Sequence, residues 1–235
     1  MDKDAVKMKK EVPIKRYAIN AGYEDMKDWV VEEKQVIVSL NGEKTAVLLC
    51  TPVCLDELAV GHLLVLGKIN GDSVVEALVQ ETPYTVNVVT GSRYEKGKAA
   101  GQVKKIAITK CLDTINELSA KSEIFRETGG VHSAALLLPS GLVFREDVGR
   151  HNAVDKLLGY CVLNRIDGED AALFLSGRVA AEIVIKASLL NIPLIVSRSA
   201  VTSLAIEKAE EIGVTLVGFA RGDRANIYAH RERID

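Results

Sequence analysis

No cysteine framework runs through this sequence. Its four cysteines, Cys50, Cys54, Cys111 and Cys161, include no C-x-x-C pair. Four scattered thiols exclude a secreted scaffold held by disulfides. Long apolar runs are missing as well, for nothing approaches the roughly 20 residues of a membrane-crossing helix. The start of the chain, Met1-Asp2-Lys3-Asp4 and then Lys7-Met8-Lys9-Lys10, holds no apolar centre of a secretion signal. The expected address is the cytoplasm. An excess of one charge sign is also lacking. At a net charge of -2 no overall basic field attracts nucleic acid, so neither nucleic acid nor membrane is an expected partner. Any anion site must come from local arginines and backbone amides. The phosphate-binding signatures G-x-x-x-x-G-K-[ST] and G-x-G-x-x-G are absent. So are the H-x-E and P-C-x-x-C of zinc deaminases, His132 being followed by Ser133-Ala134. Cys50 and Cys54 flank a proline with no third or fourth ligand in view, and no tightly bound metal is expected.

What is present is an ordinary globular composition, 48% hydrophobic and 26% charged over 235 residues, enough to bury a core without staples. Residues 1 to about 30 are polar and mixed, and predict a mobile lead with one strand near Arg16–Ile19. Gln35–Leu40 alternates with period two, Asn41-Gly42 follows and Thr45–Leu49 resumes, which is the pattern of a hairpin. A helix carrying Leu58, Val60, Leu63, Leu64 and Leu66 is predicted next, capped by Asp56 or a neighbour and stopped near Gly67 and Gly71. Strands around Val74–Leu78 and Tyr84–Val89 come after it. The polar, Gly- and Lys-rich stretch near 91–108 predicts a mobile loop, leading to a helix over Thr109–Phe125.

After Thr128 the texture changes. Apolar strands at Ala134–Leu138, Leu142–Phe144, Ala171–Leu175, Pro193–Val196 and Thr215–Phe219 alternate with helices from Arg150, over 178–190 and over 201–212, and a last strand runs near Ala225–Ala229. This predicts an α/β fold whose sheet is covered on both faces. The expected organisation is an N-terminal β-rich part, 1–127, and an α/β ligand-binding domain, 128–235.

Three strand ends carry arginine-bearing loops: Ser176-Gly177-Arg178, Ser197-Arg198-Ser199, and Phe219-Ala220-Arg221-Gly222-Asp223-Arg224. Ligands of α/β sheets bind at the carboxyl ends of parallel strands. The first two loops are expected to open helices, whose N-terminal amides favour an anion. Serine hydroxyls donate, glycine admits close backbone approach, and arginine offers a bidentate fork for phosphate. Solvated turns are the alternative. Arg150 and His151 place positive charge in a first helical turn, which is unfavourable unless an anion is near. Asp147 is expected to cap that helix and Gly149 to ease its turn. Thr128-Gly129-Gly130-Val131-His132 sets a glycine pair and His132 before a buried strand, either as a close-approach loop or as a plain turn. His62 is expected to be packed and His230 to lie at the surface. Cys161 falls in an apolar helix. Cys111 follows Lys110 near a helix start, and both neighbours would lower its pKa. It is the choice for an active cysteine, a buried structural role being the alternative.

Taken together, Thr128–Leu136, Glu146–Lys156, Ser176–Arg178 and Leu216–Arg224, with Thr51-Pro52 and Asp56–Gly67, resemble the FdhD/NarQ family from about residue 12 onward. Its members are formate dehydrogenase accessory proteins, also called sulfur carrier proteins. The resemblance implies a fold similar to the cytidine deaminase α/β/α layers without their zinc chemistry, and a homodimer. It implies a sulfurtransferase role. Sulfur comes as a persulfide from a cysteine desulfurase and goes to the molybdenum of the molybdenum bis(molybdopterin guanine dinucleotide) cofactor, before that cofactor enters the formate dehydrogenase apoenzyme. It also implies that Phe219, Ala220, Arg221, Gly222, Asp223 and Arg224 form the cofactor-binding loop, in contact with the guanine nucleotide moiety. Ser176, Gly177, Arg178, Ser197, Arg150, His151 and His132 complete the expected site. The family's C-G-x-C-type motif belongs near 91–108, which here holds no cysteine. Either Cys111 replaces it as the catalytic, sulfur-carrying residue, or the chain is a molybdenum-cofactor-binding chaperone without sulfur transfer.

Overall fold

The computed structural model describes residues 7–93 and 105–235. The first element is a two-stranded antiparallel ribbon, β1 (Lys9–Ala18) and β2 (Gly22–Val31), where the sequence predicted one strand. Most of the ribbon is exposed on both faces, and charges interleave along it; Lys27 pairs with Glu11 at 2.7 Å. A ribbon without a buried face has no apolar alternation to read.

β3 (Lys34–Leu40) and β4 (Glu43–Cys50) form the hairpin expected from Asn41-Gly42. Both turn residues take positive φ, 52° and 86°, which suits the strand twist of a two-residue hairpin. With β5 (Ser73–Glu81) and β6 (Tyr84–Arg93) they build a four-stranded sheet in the order β4-β3-β6-β5. Helix α1 (Leu55–Val65) connects β4 to β5. Next come α2 (Ile108–Lys121) and α3 (Glu123–Thr128). The single helix predicted here breaks at Ser122, whose hydroxyl donates to the Glu146 carboxylate.

A six-stranded sheet follows, built from β7 (His132–Leu138), β8 (Gly141–Asp147), β9 (Ala172–Leu175), β10 (Leu194–Ser197), β11 (Thr215–Arg221) and β12 (Arg224–Ala229). Its order is β12-β11-β10-β9-β7-β8. The central β9, β10 and β11 are parallel, and β7 and β12 run against them. Helices α4 (Arg150–Leu163), α5 (Ala181–Ser188) and α6 (Ser203–Ile212) connect its strands. The last two were predicted to start at 178 and 201. They start later because Val179 and Val201 pair as an extended bridge.

Alternate strand residues face opposite sides, and each side has its own core. Ala135, Phe174, Val196 and Val217 meet Cys111, Leu112, Ile115 and Leu118 of α2. Leu136, Leu173, Ile195 and Leu216 meet Val154, Leu157 and Leu158 of α4, Ile183 and Val184 of α5, and Ala205 and Ala209 of α6. This second core continues through α1 to Val36, Val38, Val86 and Val88 of the smaller sheet. The result is a mixed α/β fold with the large sheet covered on both faces. Helix α2, which precedes residue 128, covers the sheet formed by the residues after it. No helix among the described residues is long and apolar enough to cross a membrane.

α1 and α4 cross in backbone contact. A Cβ on Gly61 would lie 1.8 Å from the Asp155 carbonyl oxygen, and one on Gly159 would lie 1.8 Å from that of Glu57. Only glycine fits at either position. Buried charges surround this crossing, and each has a partner. Lys156 and Asp147 are both fully buried and pair at 2.7 Å. The Thr51 hydroxyl donates to Asp147 at 3.0 Å and accepts from Lys156 at 2.8 Å. Lys186 meets Asp155 at 2.5 Å, with His62 Nδ1 3.6 Å from the other carboxylate oxygen. Arg145 makes a two-pronged contact with Glu57. Asp147 therefore does not cap α4. The N-cap is Gly149, with no side-chain bond, and Asp147 is held by Lys156 and Thr51 while also accepting from the Gly149 amide and Asn152.

Candidate functional site

The carboxyl ends of β9, β10 and β11 share one rim with the start of β7 and the end of β8, because β7 and β8 alternate in direction. Sheet order then lines up the loop 219–224, the loop 197–199, the loop 176–178, His132 and the turn 147–151 side by side. Hydrogen bonds lace them together. The Ser133 amide donates to the Ser176 hydroxyl oxygen at 2.9 Å, and the Ser176 amide donates to the Ser133 carbonyl at 3.0 Å. The Ser197 hydroxyl donates to the Gly177 carbonyl at 2.8 Å and accepts from the Ser199 amide at 3.0 Å. The Phe219 amide donates to the Ser199 carbonyl at 3.0 Å. Ser197 is fully buried, so its hydroxyl shapes the rim from beneath. Ala220 is buried too, while Arg178, Arg198, Arg221, Gly222, Asp223 and Arg224 are exposed.

His132 and Arg150 converge on Gly177, where a Cβ would lie 3.3 Å from His132 Nδ1 and 3.5 Å from Arg150 Cβ. A Cβ at 177 would crowd His132 and stand in ordinary contact with Arg150. The helix N-terminus argument fares less well. α5 begins three residues beyond Arg178, and the first amides of α6 are engaged, Thr202 accepting from the Ala205 amide. The rim therefore offers an anion its side chains and loop backbone more than its helix ends.

The electrostatics of the rim are set by its arginines and histidines. Arg221 and Arg224 are direct cross-strand partners, and like charges so placed are destabilising. Arg221 lies over the Phe219 ring, 5.5 Å from its centroid. Phe219 itself takes a left-handed φ of 50°, uncommon for an aromatic residue and a frequent mark of strained loops at sites. The buried atoms Arg150 Nε and His151 Nδ1 have no hydrogen-bond partner among the described residues, and a polar ligand is one way to satisfy them. Burial lowers the His132 pKa, and Arg150 lowers it further. Burial also lowers that of His151, with Lys186 and Arg150 adding to the effect and Glu182, 3.5 Å away, opposing it. Both imidazoles are neutral near pH 7. Under the rim, burial raises the Glu146 carboxyl although Ser122 and Ser133 donate to it.

Cys111 does not meet its expectation. It is fully buried on the inward face of α2, and burial pushes its thiol up to about 11. Lys110 points to solvent, so desolvation outweighs the cation and the helix end that predicted a lowered value. Cys50 and Cys161 are fully buried. Burial, followed by the charge of Asp147, pushes Cys50 to about 12. Cys54 is partly exposed, and burial followed by Glu57 pushes it to about 11. Most of the predicted mobile loop, 94–104, lies outside the described residues. Its flanks are Gly91–Arg93, which close β6, and Ile106, which bridges to Ile234. His62 is packed against Asp155, and His230 sits partly buried between Glu210 and Glu232. Sequence reasoning gave Glu146 no role of its own within its polar run and missed Asn116, which reaches Gly222 from α2. A mid-helix asparagine is a weak signal, since it is a poor helix former, but nothing in the sequence names its target.

Fold and rim together define a mixed α/β protein with a cationic site along the strand ends of its larger sheet. Residues 91–235 match the model of the FdhD/NarQ family. The chain is 38% identical to the sulfur carrier protein FdhD of Wolinella succinogenes, a match covering 96% of this chain and 89% of that protein. It is 35% identical to the sulfur carrier protein FdhD of Bacillus subtilis, over 89% of this chain and 91% of that protein. A crystal structure from Desulfotalea psychrophila, of a protein assigned as a formate dehydrogenase accessory protein, superposes with a TM-score of 0.85 at 28% identity, over 97% of this chain and 100% of that one. The chain belongs to the FdhD/NarQ family.

Proposed function

We propose that this protein serves formate dehydrogenase by binding the guanine nucleotide end of the molybdenum bis(molybdopterin guanine dinucleotide) cofactor along the rim, with Phe219–Arg224 as the main contact. The observation that carries the reading is the Arg221–Arg224 pair, two like charges opposite each other across the turn, whose repulsion a bound anion would relieve. The residues fit such a group in other respects. Arg178, Arg221 and Arg224 offer forks for phosphate. Gly177 and Gly222 leave room for close approach. Arg150 Nε and His151 Nδ1 are buried polar atoms lacking partners among the described residues, and His132 is a neutral imidazole on the same rim. Phe219, Ala220, Ser176 and Ser197 shape the surface that bears these groups. The bound cofactor would supply the molybdenum chemistry; this chain would hold and orient its nucleotide. The reading includes the formate dehydrogenase apoenzyme as recipient, a cytoplasmic setting, and a homodimer that analytical ultracentrifugation would detect. Calorimetric titration with GDP tests the site. Saturable binding that weakens with salt is expected, and no binding at millimolar GDP would count against it.

The name borne by the relatives, sulfur carrier protein, favours a second reading. In it, sulfur from a cysteine desulfurase passes through Cys111 to the cofactor. The burial of Cys111 opposes this, because a persulfide needs a reachable thiolate. Incubation with a desulfurase and cysteine, followed by mass spectrometry, decides. A persulfide on Cys111 that disappears in Cys111→Ala supports the relay. Sulfur loading unchanged by that substitution removes Cys111 from it.

A further inference from the structure

One side chain of α2, the helix on the far face of the large sheet, reaches the candidate loop. Asn116 Nδ2 donates to the Gly222 carbonyl at 3.1 Å, and the Gly222 amide donates to Asn116 Oδ1 at 3.3 Å. One carboxamide thus engages both backbone groups of one residue, as a neighbouring strand would. Gly222 stands in the turn between Arg221 and Arg224 with a φ of 61°, and among the described residues no backbone–backbone bond to Gly222 accompanies the Asn116 contact. Leu112, Ile115 and Leu118 anchor α2 on the sheet beneath and so fix where Asn116 is presented.

Fold stability is a poor explanation for this residue. Both hydrogen bonds face water, where a bond to protein replaces a bond to solvent for little net gain. In mid-helix, asparagine is a poorer helix former than alanine. What the contact achieves is to hold the tip of the turn that carries the opposed arginines.

We infer that Asn116 is a positioning residue, which holds the Arg221–Arg224 turn in the conformation that receives the phosphates of a guanine nucleotide. This rests on the nucleotide site proposed above. Without Asn116 the β11–β12 pairing persists but its tip samples more conformations, and binding must then include the cost of ordering it. The test compares wild type with Asn116→Ala by calorimetric titration with GDP, by thermal unfolding, and by the backbone order of the Gly222 amide in NMR relaxation. Asn116→Ala is expected to weaken GDP binding about tenfold and to leave the unfolding temperature nearly unchanged. Its Gly222 amide is expected to be disordered when free and ordered again when saturated with GDP. GDP binding by Asn116→Ala as tight as wild type, or a Gly222 amide equally ordered in both free proteins, overturns the inference alone. Absence of GDP binding by the wild type overturns the underlying site as well.

Discussion

Beneath the rim, Lys156 meets Asp147 and Lys186 meets Asp155 at hydrogen-bond distance, each ion with its counterpart and both largely out of water. At the rim itself, Arg221 stands across from Arg224, and Arg150 packs beside His132 over Gly177. The contrast separates two uses of positive charge. In the interior a lone ion would cost several kcal/mol, so cations there come in matched pairs that join α4 to Thr51 and α5. On the rim, Arg221 and Arg224 are set like charge opposite like charge, an arrangement that the proposed anion would relieve. The first set belongs to folding; under the proposed function the second belongs to binding.

Breaking the interior side of the comparison has the largest effect. Lys156→Ala leaves the Asp147 carboxylate buried without its cation, and should destabilise the protein by about 3–5 kcal/mol in chemical denaturation. A loss under 1 kcal/mol would mean that the pair is not holding the fold. Gly159→Ala drives a Cβ into the Glu57 carbonyl and should cost about 3 kcal/mol, read by the same denaturation curves. On the rim the signs reverse. Arg224→Ala should weaken GDP binding by roughly 10- to 100-fold, while the unliganded protein becomes slightly more stable, by up to ~1 kcal/mol, because the repulsion from Arg221 is gone. Loss of stability together with unchanged affinity would erase the distinction.

The smallest effect is in pH. His132 and His151 have folded pKa values below the ordinary 6.5, so the unfolded chain takes up their protons first. Their contribution to stability is whole above about 6.5 and is lost as pH falls through that value. A bound anion would draw protons onto the same rings. GDP affinity should therefore rise as pH falls from about 8 to about 6, by less than tenfold per unit for each histidine, while free-protein stability declines. The double variant His132→Gln, His151→Gln should flatten both trends. Affinity that falls with pH in the wild type would place the nucleotide away from these rings.

Legibility followed burial and period. The Asn41-Gly42 hairpin and the apolar strands after Thr128 announced themselves, because each has a buried face or two. The β1–β2 ribbon did not, since charges interleave on its exposed faces. Helix starts after 178 and 201 were misplaced because a tertiary bridge between Val179 and Val201 keeps both segments extended, and no local propensity records a bridge. The arginine loops could be read from residue type and position at strand ends. Their spatial order, with His132 beside Gly177, needed the antiparallel β7, which apolar content alone does not specify. For Cys111 the sequence leaves an active and a buried role open: its neighbours suggest a lowered pKa, whereas the inward face of α2 buries the thiol and raises it. The buried role of Lys156 is hidden for a related reason. A lysine in a helix reads as solvated, and only the fold brings Asp147 and Thr51 to it.

The measurement that bears most directly on the rim is calorimetric titration of the protein with GDP, run beside an Arg221→Ala, Arg224→Ala double variant. A saturable, salt-sensitive isotherm for the wild type that is lost in the double variant, with both proteins equally folded, is the predicted result. A wild type that gives no isotherm at millimolar GDP, or a double variant that binds equally well, would contradict it.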